Sequence, residues 1–128
     1  MAVTHSTAAR NAATDAVTAL IGASGRLKFH ITGSTVAAPS TVVANLALSA
    51  TAFGASATGT ATANAITSDT NAAGGTVAFA SLQTSGGTAV IHCAVAASAS
   101  DINMTNGLTV TAGDTVACSS LTYTALSA

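Results

Sequence analysis

Three histidines, His5, His30 and His92, and two cysteines, Cys93 and Cys118, are the side chains best suited to hold a soft metal or move a proton. Their spacing matches no zinc signature, because there is no Cys-x-x-Cys pair. His92 and Cys93 are adjacent, so on an extended strand they point to opposite faces and cannot act as a thiol–base pair. The carboxylates are Asp15, Asp69, Asp101 and Asp114, with no glutamate. Asp69 and Asp114 sit among turn residues and Asp101 opens a strand, positions where a short acid bonds nearby backbone amides. Nothing in the spacing brings two acids together as paired-carboxylate hydrolysis requires. Serine and threonine are abundant, yet no Gly-x-Ser-x-Gly elbow occurs. Gly22-x-x-Gly25 follows a helix and precedes a strand, the reverse of a dinucleotide fingerprint. The expectation is a chain that is not an enzyme and carries no metal or cofactor.

The cations are Arg10, Arg26 and Lys28, all near the start of a 128-residue chain whose net charge is −1. Nucleic-acid affinity rests on many phosphate contacts, which three scattered cations do not supply. Two readings remain for them: simple solubility, or docking of this end onto an acidic partner surface. No apolar run approaches the roughly 20 residues that cross a bilayer. The opening residues lack a basic segment followed by a long apolar stretch, so the chain reads as soluble and not exported through a signal peptide. That context favours reduced thiols, although Cys93 and Cys118 can pair if their strands are neighbours.

These residues must be positioned by two kinds of element. Ser6 or Thr7 starts a helix over 7–21, closed by Gly22, with Ala9, Ala13, Ala16, Val17, Leu20 and Ile21 along one side. Arg10, Asn11, Thr14, Asp15 and Thr18 lie opposite. The apolar stripe suits packing against one sheet or one neighbouring subunit. From Arg26 the period changes from 3.6 to 2: Leu27, Phe29 and Ile31 share one face, while Arg26, Lys28 and His30 share the other. His30 is expected to face solvent or a partner, and His92 to lie at the surface or an interface.

Further strands are expected at 42–49, 56–66, 75–82, 88–96, 101–104, 107–111 and 115–126, separated by turn residues such as Gly33-Ser34, Asn106-Gly107 and Gly113-Asp114. Residues 55–66 alternate Ala with Thr or Ser, so that strand either admits a close backbone approach or is a loosely fixed loop. Residues 88–95 are the most continuously apolar and are placed centrally. In the last strand a β-bulge near Ser119-Ser120 would bring Val116, Cys118, Leu121 and Tyr123 to one side. The pattern predicts a mainly β chain: residues 1–25 form an arm and helix, and residues 26–128 form an antiparallel β-sandwich or jelly-roll-like domain. Large apolar residues are sparse among the alanines, so an isolated core would be thin. Self-association would remedy it.

The stretch from Thr4 through Thr7-Ala-Ala-Arg-Asn-Ala12 to Ile21-Gly-Ala23, running into Arg26-Leu-Lys-Phe-His-Ile-Thr32, resembles the start of small virion structural proteins of tailed bacteriophages. The closing Asp101-Ile-Asn-Met104 strand, the Ala112-Gly-Asp114 turn and the Thr-rich end are similar to that group's close, whereas the middle is not matched and is poor in bulky aromatics, with Phe53 and Phe79 alone. The resemblance implies a head decoration (cement) protein, bound in many copies outside the capsid shell, with the major capsid protein and itself as partners. A homotrimer is the preferred state and a dimer the runner-up. Arg10, Val17, Leu20, Ile21, Arg26, Lys28 and His30 are the candidate capsid or subunit contacts. Alternatives are a tail or head-fibre component, or a glycan-binding module, which the single tyrosine and absent tryptophan disfavour.

Overall fold

A computed structural model describes residues 3–32 and 35–126; the turn expected at Gly33-Ser34 lies outside them. The elements are α1 (Thr7–Ala19) and nine strands: β1 (Arg26–His30), β2 (Val42–Ala47), β3 (Thr60–Thr62), β4 (Gly75–Thr76), β5 (Phe79–Gln83), β6 (Ala89–Ala96), β7 (Ile102–Asn103), β8 (Thr109–Val110) and β9 (Thr122–Thr124). Ser6 caps the helix, its side chain accepting a hydrogen bond from Ala9 N at 3.1 Å. The helix ends at Ala19, two residues before the expected limit, because Ile21 N and Gly22 N turn back onto Thr18 O and Ala19 O.

The main sheet runs β2-β1-β5-β6-β7, antiparallel except for the parallel β6–β7 pair. Pairing shifts between Phe29 and His30 on β1 and between Leu82 and Gln83 on β5. Such bulges raise the local twist, and the sheet curls into a half-barrel. Two small antiparallel sheets, β3–β9 and β4–β8, complete a mainly β fold with one helix. Two stacked layers are not clearly distinct. β1 and β5 hold the middle of the sheet. The more apolar β6 does not, because only its last two residues, Val95 and Ala96, have β7 beyond them.

Leu27 and Phe29 of β1, Leu46 of β2, Ala80 and Leu82 of β5 and Cys93 of β6 are buried, together with Ala61, Val77, Val110 and Leu121 from the other side. Five of the nineteen buried apolar residues are alanine, which is the thin core expected from composition. The last strand departs from expectation. Val116 makes an isolated bridge to Asp69, residues 117–121 run irregularly, and only Thr122–Thr124 pairs with β3. Leu121 reaches the core by this break in the strand, with no bulge at Ser119-Ser120.

Candidate functional site

The helix is mounted through its polar side. Thr14 and Thr18 are its buried residues, while Ala8, Ala9, Ala12, Ala16, Ala19 and Leu20 are exposed. Of the two packings the apolar stripe suited, that against the chain's own sheet is made only in part: Ala13 and Val17, half-buried, and Ile21, 1% exposed, turn toward the body. The reason lies in the segment underneath. Its residues are too small to offer an apolar seat, and its turn exposes backbone groups that polar side chains can satisfy. The Thr14 hydroxyl donates to Gly59 O at 2.6 Å and accepts from Ala125 N at 3.1 Å. Gly59 N donates to Asn11 Oδ1 at 2.7 Å, and Ser56 N donates to Asp15 Oδ1 at 2.9 Å. Arg10 donates from Nη2 to Thr58 O at 2.8 Å and from Nε to Leu126 O at 3.1 Å. Residues 56–59 are thus the part of the 55–66 segment against which the helix side chains close, where small residues leave the backbone groups open to them.

A second polar cluster occupies one face of the main sheet. His30 of β1 and Ser81 of β5 are both 0% exposed, and Gln83 is 2% exposed. His30 Nδ1 lies 2.8 Å from Ser40 O, and a carbonyl only accepts, so Nδ1 carries the proton. Nε2 is then the acceptor for the Ser81 hydroxyl at 2.7 Å, and Ser81 Oγ accepts from Gln83 Nε2 at 2.8 Å. Burial, outweighing the bond to Ser40, holds the His30 pKa below its ordinary value, and the neighbouring His92 and Lys28 act in the same direction. A hydroxyl, a base and a group orienting the base are the parts of an activated nucleophile. Here the hydroxyl has no exposed surface, and the three side chains form a closed relay that satisfies buried polar groups. His30 therefore does not face solvent or a partner as the alternation suggested.

All four carboxylates serve backbone amides. Asp69 accepts from Asn45 N and Asn71 N, Asp101 from Ala94 N, Asp114 from Thr111 N, and Asp15 from Ser56 N, each at 2.9–3.0 Å. The turn roles read from the sequence for Asp69, Asp101 and Asp114 are those observed. Among the described residues no group of three metal-ligating side chains forms, and no helix is long and apolar enough to cross a membrane. Cys93 and Cys118 are free thiols. Burial, reinforced by the Asp101 charge, pushes Cys93 up to about 11, and burial also raises Cys118. A cleft of about 550 Å³ lies between residues 101–110 and 114–122, with Asn103, Thr105, Asn106, Ser119, Ser120 and Thr122 among its lining.

Comparison with protein-family models, with curated proteins and with solved structures finds no match for this chain.

The seven contact candidates therefore divide by geometry. Leu20 is 66% exposed on the outer helix face, Val17 is half-buried, and Ile21 and His30 are enclosed. Arg10 is committed to two carbonyls at the helix clamp, whereas Arg26 and Lys28 lie on the polar face of β1. The sequence reading missed Ser81, Gln83 and Ser40. Their only signal was that Ser81 and Gln83 alternate with Ala80 and Leu82, which suggested a solvated face rather than an enclosed relay.

Proposed function

We propose that this chain is a structural virion protein of a tailed bacteriophage, a head decoration protein that binds the outside of the capsid shell and stabilises it. The observation that carries the reading is the inverted mounting of α1. Hydrogen bonds hold its polar side to the body while five alanines and Leu20 face outward. An apolar, uncharged helix face costs exposure in an isolated chain and gains by contact with a neighbour. Val3, four residues before the helix, is likewise 77% exposed. The resemblance of both chain ends to small virion proteins supplies the identity of the neighbour. Every carboxylate accepts from a backbone amide, a pattern that leaves little charged material for catalysis.

In this reading the neighbours are the major capsid protein and further copies of the chain, assembled as a cyclic trimer, with a dimer as the runner-up. The small β3–β9 and β4–β8 sheets would serve as the second layer of the β-sandwich typical of such proteins. Association would also stabilise a core with few large side chains, since it draws on the folded state alone. No cofactor, nucleic acid or membrane enters the mechanism. The work is the burial of many modest interfaces at once.

Co-sedimentation with heads that lack the protein tests the reading: saturable binding at a fixed ratio to capsid subunits supports it, and failure to sediment overturns it. The cleft of about 550 Å³ favours a second reading, a glycan-binding module, because hydroxyl and amide side chains line it. Binding to a glycan array with no binding to heads would select that alternative.

A further inference from the structure

Strand pairing places Asn45 of β2, Lys28 of β1, Ser81 of β5 and His92 of β6 in one cross-strand row. Side chains of paired residues share a face, so all four project from the same side of the sheet. Arg26 stands on that face two residues before Lys28, opposite Gln83. At the usual spacing between strands, Lys28 and His92 are about 10 Å apart.

The floor of this surface is closed, since Ser81, Gln83 and His30 bond to one another and are buried. Its upper groups are unsatisfied. Arg26 and Lys28 are half-buried, yet among the described residues neither side chain has a hydrogen-bond or ion-pair partner. His92 packs its ring against Phe79 at 5.4 Å, and its Nε2 is enclosed, with no hydrogen-bond partner among the described residues, so it belongs to the floor and not to the docking surface. Asp69 and Asp101, which stand beside the outer strands, are engaged by the backbone amides of Asn45 and Ala94. Arg10, grouped with these cations by sequence position, is held instead at the helix clamp. The surface thus presents two cations, unpaired among the described residues, above a buried, hydrogen-bonded floor.

We infer that this face of the main sheet, centred on Arg26 and Lys28, docks an acidic segment of a partner protein whose carboxylates pair with the two cations. The inference rests on the attachment role proposed above and deepens it by naming the docking face and the partner's chemistry. Charge complementarity selects the occupant, because the face presents donors and no carboxylate. Contacts of this exposed kind fix orientation and speed encounter, and they weaken as salt rises.

A deca-glutamate peptide titrated into isotopically labelled protein at low salt, followed by amide NMR, reads the surface directly. Shifts are expected to cluster at Arg26, Lys28, Ser81, Gln83 and His92. The Arg26→Gln/Lys28→Gln variant, checked for an unchanged fold by its remaining spectrum, is expected to bind roughly tenfold more weakly. A Thr105→Gln control on the far loop should bind as the parent does. Shifts scattered over the surface, or equal binding by the double variant, would overturn the inference. The same proteins applied to decoration-free heads separate the two proposals. If parent and double variant sediment equally, the decoration reading stands and this face is not the contact. If the peptide binds here while heads bind neither protein, the acidic-segment site stands and the decoration reading fails.

Discussion

Thr14 of the helix and Gly59 of the turn before β3 are joined by a 2.6 Å hydrogen bond, and the Gly59 amide returns to the same helix through Asn11 Oδ1 at 2.7 Å. Both backbone groups of one glycine are thereby satisfied by side chains one helical turn apart. The helix is held by polar geometry, with little apolar area beneath it. Replacing Thr14 by the near-isosteric valine strands Gly59 O and Ala125 N together. The expected loss is about 1–3 kcal/mol for a stranded buried group, read as a lower urea midpoint at unchanged slope. A change within experimental error would show that the helix is held by something else.

Gly59 itself admits no side chain. Its φ is +83°, and a Cβ there would sit 2.9 Å from Arg10 Nε and 3.2 Å from Arg10 Cβ. Gly59→Ala should therefore both strain the turn, at about 1–2 kcal/mol, and push the Arg10 guanidinium off its carbonyl partners. Gly113→Ala also has positive φ but meets nothing within 4 Å, so it isolates the strain alone. Thermal unfolding of the two variants should place Gly59→Ala distinctly lower. Equal melting temperatures would contradict the packing of Arg10 over this turn.

The buried relay makes stability depend on pH. His30 is held neutral in the folded state, with a pKa lowered from the ordinary 6.5 mainly by burial. The unfolded chain therefore takes up the proton first. The relay's full contribution is present above about pH 6.5 and is lost as pH falls from there toward the lower folded-state value, below which it levels. Lys28 and His92, the charged or titratable neighbours, oppose protonation of His30 as well. Urea unfolding at pH 7.5 and pH 5 should show a smaller pH difference in His30→Gln than in the parent. Identical differences would contradict a neutral, enclosed His30.

The two thiols should react at different rates. Cys93 is 8% exposed and pushed up to about 11, whereas Cys118 is half-buried. A chromogenic disulfide at pH 8 should consume Cys118 first, with Cys93 reacting only on unfolding. Cys118→Ser should abolish the early phase. An early phase surviving in that variant would place Cys93 nearer the surface than the structure does.

Part of the strand pattern was readable because period-2 alternation reports burial locally, although the single strand expected over 75–82 divides into β4 and β5, which lie in different sheets. β1 carries Leu27 and Phe29 on its core side, and Asp69 and Asp114 occupy turns as their chemistry suggested. The helix start was also readable, through Ser6, whereas its end came two residues early and its orientation was not read. Amphipathicity ranks faces by transfer free energy, and that ranking assumes an apolar seat. Residues 55–62 offer backbone carbonyls and amides instead, so Arg10, Asn11, Thr14 and Asp15 won the inward face. His30 was misread for a related reason. Alternation assigns it to the polar face correctly, but the curl of the sheet, and its bonds to Ser40 and Ser81, are properties of residues distant in sequence. The split of the cations is likewise invisible in the chain order, where Arg10 stands close to Arg26 and Lys28.

The central claim is that this chain works by attaching to a shell. Heads lacking the protein, titrated with it and then heated while DNA release is followed, give the most direct test. The account predicts binding that saturates at a fixed copy number per capsid subunit and a release temperature that rises with occupancy to a plateau. Heads that release DNA at the same temperature whether or not the protein is added, with no protein bound, would contradict it.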